Sequence, residues 1–354
     1  MKELTEHIQK IISLPGLSGH EKPVRDVIAA AWQPYVDEIK TSRLGSLHAY
    51  RKGTGAGPHP KILLSAHMDA IGLMVTTISG EFLRVMPVGG LDPRILPGQP
   101  VLIHGREEIS GIVVQPPDSI LPKTITDKPV PIEYLFVDSG LTPQETAELV
   151  HPGDLVSFAQ KPLELGEKCV SGHSLDNRAS VAAFTWCLRE LKNVQTAWDA
   201  WFVASVQEEV TLGGAITSPF QIDPDIAAVV DVTFAEGPGV RDDYRAFSLG
   251  KGIALGNGPN LHPFLFRTIK ELAENLDIPF HVDITPGHSG TDAIGIQVAR
   301  QGIPTMLLGI PLRYMHTPVE VVSMKDITRV GRLLAEFLRR TGADLLADLK
   351  WEDQ

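Results

Sequence analysis

Apolar residues recur three and four apart from the start of the chain. Leu4, Ile8, Ile11 and Ile12 fall on one face of a helix. Pro15-Gly16 breaks that pattern, and a second helix follows with Val24, Val27 and Ile28 on its apolar side. The run Lys61-Ile62-Leu63-Leu64-Ser65-Ala66 is almost continuously apolar and predicts a short strand buried on both faces. From about residue 71 to 163 the texture changes. Short alternating segments such as Phe82-Leu83-Arg84-Val85 and Val101-Leu102-Ile103-His104 are separated by Gly and Pro signals, with Pro97, Pro100, Pro116-Pro117, Pro129 and Pro131 as breaks. Long helical patterns are nearly absent there, so a small all-β unit is predicted.

After about residue 165 helices and strands alternate again. A helix is expected from near Asn177 to Lys192, then strands over 200–206 and 226–230. A helix near 262–275, a strand over 279–284, a helix after Thr291 and a strand over 305–309 complete the run. The last helix opens on Ser323-Met324-Lys325-Asp326, which resembles a capping box, and buries Ile327, Val330, Leu334, Phe337 and Leu338. The simplest architecture is an α/β domain formed by 1–70 and 164–354, interrupted by an inserted β domain over 71–163. No internal repeat or low-complexity segment is present.

A length of 354 residues suits two such domains. The formal net charge of −11 argues against a nucleic-acid partner and against docking on an anionic membrane. No apolar run approaches the roughly 18 residues of a membrane span. Met1-Lys2-Glu3-Leu4-Thr5-Glu6 reads as the start of an amphipathic helix rather than a signal peptide. Cys169 and Cys187 are too few for a disulfide framework, so both are expected reduced and the protein cytoplasmic.

Candidate chemistry collects where strands are predicted to end, which is where open α/β sheets gather their sites. His67 and Asp69 follow the first strand, Asp176 precedes a helix, and Glu208-Glu209 follow Val206. Asp231 follows Val230, and His316 comes shortly after the 305–309 strand. Period-two geometry puts His67 and Asp69 on one side, so Asp69 can hold one imidazole nitrogen while His67 offers the other to a metal. On an extended backbone Glu208 and Glu209 would point in opposite directions, one toward a metal and one toward its water. Asp231 interrupts Val229-Val230-Asp231-Val232, and an unpaired carboxylate buried there would cost several kcal/mol. A metal or a buried Arg would satisfy it. Two histidines and three carboxylates suit two Zn²⁺ or Co²⁺ ions with one carboxylate bridging. A free carboxylate beside the activated water would then serve as general base and afterwards as general acid.

At these residues the sequence resembles the M42 glutamyl/deblocking aminopeptidases. Ser65-Ala66-His67-Met68-Asp69-Ala70-Ile71-Gly72 is similar to their first metal motif and Leu175-Asp176-Asn177-Arg178 to their bridging-aspartate motif. The segment from Val206 to Ala215 resembles their Glu-Glu motif. Val230-Asp231-Val232-Thr233, Ser289-Gly290-Thr291-Asp292-Ala293 and Met315-His316-Thr317-Pro318-Val319-Glu320 are similar to three further blocks, all six in family order. The resemblance implies a zinc-peptidase-like α/β/α catalytic domain with an inserted small all-β domain, and removal of N-terminal residues from peptides. It implies that Asp176 bridges two divalent ions, that His67 and Asp231 complete one, and that Glu209 and His316 complete the other. Glu208 would be the general base and Asp69 the residue that orients His67. The insert would mediate dimer contacts, and dimers would assemble into a hollow tetrahedral dodecamer. Ala70 stands where the family often has Glu, and Asn177 where a second acid is common; both departures bear on substrate preference and leave the ligand set intact.

Among the other histidines, His173 and His288 lie near matched motifs and are candidates to line the site, while His7, His20, His48, His59, His104, His151, His262 and His281 read as surface or turn residues. A serine hydrolase is disfavoured, because Gly287-His288-Ser289-Gly290 is one residue short of a nucleophile elbow. The stretch from Gly250 to Gly256 misses the dinucleotide-binding spacing. A glycosidase would leave His67, Asp231 and His316 without a role. A non-enzymatic scaffold would be expected to have lost Glu208 or a ligand. The nearest alternative is a metal-dependent N-acyl amino acid deacylase or dipeptidase.

Overall fold

The computed structural model describes residues 2–55, 57–125, 128–166, 168–238 and 247–351. A mixed sheet of 11 strands organises the larger part of them. Four parallel strands, Asp199–Ser205, Lys61–His67, Ile226–Phe234 and Thr305–Arg313, lie side by side at its centre.

Their unbroken apolar runs are explained by what covers each face. Ile62, Leu64, Phe202, Ala204, Ala228, Val230, Met306 and Leu308 pack beneath helices Lys2–Ile12, Leu175–Glu190 and Met324–Arg340. The alternate residues Leu63, Val203, Ala227, Val229 and Leu307 pack against helices Gly213–Ile222 and Asp292–Gln297. Helices therefore cover both faces of the parallel core, as crossover connections require.

Six strands, Gly72–Ser79, Phe82–Val88, Pro100–His104, Glu108–Val114, Phe136–Asp138 and Leu155–Phe158, close into a barrel. Leu73, Val75, Leu83, Val85, Ile103 and Val137 form part of its own apolar core. Two details differ from the sequence pattern. Pro143–Leu149 is a helix, started by a Thr142/Glu145 capping box. Leu163–Leu165 pairs with Cys169–Gly172 in the large sheet, so residue 163 belongs there.

Side chains bring further corrections. Ser323 caps the Met324–Arg340 helix, but Asp326 turns away to accept from Gly250 N at 2.6 Å and to pair with Arg329. His48 and His262 are buried rather than superficial. His48 sits in strand Leu47–Arg51 with Nε2 3.0 Å from Ser218 Oγ, and burial pushes its pKa down to about 4. Both cysteines are free, and no described helix is long and apolar enough to cross a membrane.

Arg178 is completely buried. Its guanidinium donates to the carbonyls of Met68, Ile11, Leu14 and Gly16, at 2.6 to 3.3 Å. It thereby ties the N-terminal helix to the loop that follows His67. Burial and cationic charge oppose each other here, and burial lowers its pKa to about 10, which leaves it protonated at neutral pH. Arg178→Met keeps much of the volume and strands several buried carbonyls, each worth about 1–3 kcal/mol when unsatisfied. The melting temperature is expected to fall on the order of 10 °C. Lys22→Met, at an exposed pair with Asp26, is the control and should shift it by less than about 2 °C.

Candidate metal centre

The carboxyl ends of the parallel strands open on a cleft of about 550 Å³, lined by His67, Asp176, Glu208, Glu209, Asp231 and His316 among others. His67 ends its strand and is 2% exposed. Its Nε2 stands 3.1 Å from Asp176 Oδ1, and 3.8 Å from both Glu208 Oε2 and Asp231 Oδ1. Across the cleft, His316 Nε2 is 3.4 Å from Asp176 Oδ2 and 3.4 Å from Glu209 Oε2. Asp176 thus offers one carboxylate oxygen to each imidazole. Donors that share a tetrahedral ion with bonds of about 2.1 Å stand about 3.4 Å apart, so these spacings suit metal ligands. Gly90, from the segment after a barrel strand, closes the His316 side; a Cβ there would lie 3.0 Å from His316 Nδ1.

Asp69 organises the cleft from behind. It is fully buried, with Oδ1 3.5 Å from His67 Nδ1. It also accepts from Ser18 Oγ at 2.5 Å, Glu208 N at 3.0 Å and Glu209 N at 3.2 Å. Burial pushes its pKa up, but hydrogen bonds from His67, Ser18 and Glu208 N outweigh that and keep it below the usual carboxylate value. The expectation of an extended Glu208-Glu209 backbone is corrected. Gln207 enters the left-handed region at φ +60°, and Glu208–Thr211 is one short helix. Successive helical side chains diverge by only about 100°, so both carboxylates reach the cleft.

The electrostatics are dominated by acids with too little positive charge. Burial, reinforced by neighbouring carboxylates, pushes Glu208 up to about 7 and Glu209 up to about 10. Asp231 is driven well above its ordinary value by burial and by Asp176 and Glu208. Burial acts against the charge of His67, yet Glu208, Asp176, Asp69 and Asp231 together raise it well above its ordinary value. Burial likewise opposes ionisation of Asp176, but the two imidazoles win and hold it low. No Lys or Arg is among the described residues that line the cleft. The buried Arg that was one possible partner for Asp231 is therefore not among them. Glu209 Oε1 is buried with no hydrogen-bond partner among the described residues. Donor atoms of His67, Asp176 and Glu209 all lie within 4.8 Å of one another. An orphaned carboxylate oxygen, donors at ligand spacing and an uncompensated negative cluster together fit divalent cations.

Residues 45–333 match the family described as M42 glutamyl aminopeptidase. The chain belongs to the M42 peptidase family. This M42 peptidase is 36% identical over 341 residues to a lysyl aminopeptidase of Pyrococcus furiosus, covering 94% of this chain and 96% of that one. It resembles an aminopeptidase of the archaeon Desulfurococcus kamchatkensis with a TM-score of 0.91 at 33% identity, covering 99% and 98% of the two chains. It also resembles the TET1 peptidase of Pyrococcus horikoshii, which can assemble into a tetrahedron or a large octahedral shell, with a TM-score of 0.82 at 28% identity, covering 96% and 100%. Peptidases of this family are metal-dependent, and the M42 peptidase described here has a candidate cluster for the metal.

Its structure also brings in residues that sequence reasoning left without a role. Glu320, 2% exposed, accepts from the backbone N–H groups of both Asp176 and His316. It interrupts the apolar run Val319-Glu320-Val321-Val322 just as Asp231 interrupts its own, so the signal was present. Asp292 lies behind His67 and accepts from Ser65 Oγ at 2.7 Å and Ser205 Oγ at 2.5 Å. Ser18, far upstream, carried no signal. His173 lines a different crevice, with Gln9, Ser13 and Phe158, and His288 is not among the residues that line the metal cleft.

Proposed function

We propose that this M42 peptidase is a dinuclear metallo-aminopeptidase that removes N-terminal residues from peptides. The observation that carries the reading is Asp176, one carboxylate oxygen facing each imidazole, with Glu208 Oε2 3.8 Å from His67 Nε2. His67 and Asp231 would complete one metal position and Glu209 and His316 the other, with Asp176 shared between the two. Zn²⁺ or Co²⁺ suits this mixed nitrogen and oxygen set. When bound, the two ions supply Lewis-acid polarisation of the scissile carbonyl and an acidified water.

The remaining steps belong to the protein. Asp69 takes the Nδ1 proton side of His67 and leaves Nε2 as the donor atom toward the cleft. Glu208 withdraws a proton from the attacking water and returns it to the departing amine, from a position 3.8 Å from His67 Nε2 at the edge of the ligand cluster. The acidic cleft wall favours a free, positively charged substrate amino terminus.

In this reading residues 1–70 and 163–354 form the catalytic domain, Leu163 being paired in its sheet, and 71–162 form an inserted oligomerisation domain. The assembly behaviour of the Pyrococcus horikoshii TET1 peptidase supports a homo-oligomer; dimers building a tetrahedral dodecamer are part of the same proposal.

A panel of paired peptides, one free and one N-acetylated at the amino terminus, tests the substrate end. Single residues should be released from the free peptides, while the acetylated ones should resist. Faster cleavage of acetylated amino acids would favour a deacylase instead.

The adjacent glutamates should fail differently when substituted. Glu208→Gln keeps size and removes the proton acceptor, so bound metal and KM should be retained while kcat falls by at least about 10²–10⁴. Glu209→Gln weakens a ligand, so one ion should be lost and added metal should partly rescue activity. Metal content and kcat of both variants, followed across one metal titration, decide the assignment. Metal loss from Glu208→Gln with retention in Glu209→Gln would reverse the two roles.

A further inference from the structure

The two proposed metal positions are built on different foundations. His67 and Asp231 stand on adjacent parallel strands, in the register that pairs Ser65 with Val229, so regular sheet geometry sets their spacing. His316 and Asp176 do not share that support. His316 has φ +61° and sits in the connection between strands Thr305–Arg313 and Glu320–Ser323, where Tyr314 also has φ +59°. Asp176 lies outside regular helical geometry at φ −77° and ψ 104°, just after Ser174 at φ +63°. Two irregular loops must therefore be brought to a fixed separation.

Glu320 joins them. It opens its strand opposite Gly172, the last residue of the neighbouring strand, which leads into the Asp176 loop. Oε1 accepts from His316 N at 2.9 Å, and Oε2 accepts from Asp176 N at 3.1 Å. Both oxygens of one rigid, planar, buried group are used, each on the backbone of a different candidate ligand. Asp176, as the bridge, belongs to both positions and His316 only to the second. We propose that Glu320 is a positioning residue that sets the separation of the two side chains, and so weighs far more on the second metal position than on the first, which His67 and Asp231 still hold. The inference rests on the two-ion reading.

Glu320→Gln keeps the shape but turns an amide NH₂ toward one of the two N–H groups, so one contact becomes repulsive. Glu320→Asp keeps the charge but is one methylene too short to reach both, and serves if the Gln variant does not fold. Full-length protein is stripped of metal with a chelator and titrated with Co²⁺, following calorimetry and the visible absorption of the ion. Wild type should bind two ions. Either variant should bind the first within about threefold of wild type and the second about 10–100-fold more weakly, the usual cost of losing an outer-shell partner. His316→Ala, which removes a ligand of the second position, should show the same selective loss. Equal weakening of both ions, or wild-type affinity for both, would overturn the role of Glu320. Wild type that binds fewer than two ions would instead overturn the two-ion reading.

Discussion

Packing Asp176, Glu208, Glu209 and Asp231 around the His67 and His316 imidazoles sets four acids against one another where little water can screen them. Asp231 is 5% exposed and Asp176 7%, and no described Lys or Arg lines their cleft. Unpaired charge in such surroundings is expensive, so groups either neutralise or find a counter-ion. Here both tendencies are visible: Glu209 and Asp231 are pushed toward the neutral form, while His67 is pulled toward the charged one. Divalent cations would resolve this conflict more completely than protons, because each brings two positive charges to the donor atoms at once.

The fold makes that conflict possible to sustain. Parallel strands with helices on both faces supply a rigid floor, and their carboxyl ends deliver His67 and Asp231 at fixed spacing. The irregular parts of the cleft are then held by buried acids acting on backbone rather than by regular structure. Asp69 holds the turn of Glu208 and Glu209, and Glu320 holds the loops of Asp176 and His316. Arg178 works in the opposite sense, a buried cation satisfied by carbonyls that anchors the N-terminal segment behind the cleft.

What was legible in the sequence follows from the range of the forces involved. His67 and Asp231 announced themselves because a polar residue at the end of an apolar run must have a partner. The layered α/β pattern was readable for the same reason, since continuous apolar strands need cover on both faces. The four-residue helix Glu208–Thr211 was not readable, because it is too short for any periodicity, and an extended backbone was the natural expectation. Nor was the bond from Asp69 to Glu208 N, which joins residues 139 apart in the chain. His48 reads as a surface or turn residue because no neighbouring spacing supports another role, whereas Ser218 from a covering helix satisfies its ring. Glu320 carried the same signal as Asp231, but its place beside His316 hid a separate task.

Anomalous diffraction from crystals grown with Zn²⁺, recorded on both sides of the zinc absorption edge, tests the central claim most directly. Two peaks are expected on either side of the Asp176 carboxylate, about 3.5–4 Å apart. One should lie beside His67 and Asp231, the other beside Glu209 and His316. A single fully occupied peak with no second site at saturating metal, or two peaks that leave Asp176 unbound, would contradict the bridged two-ion centre.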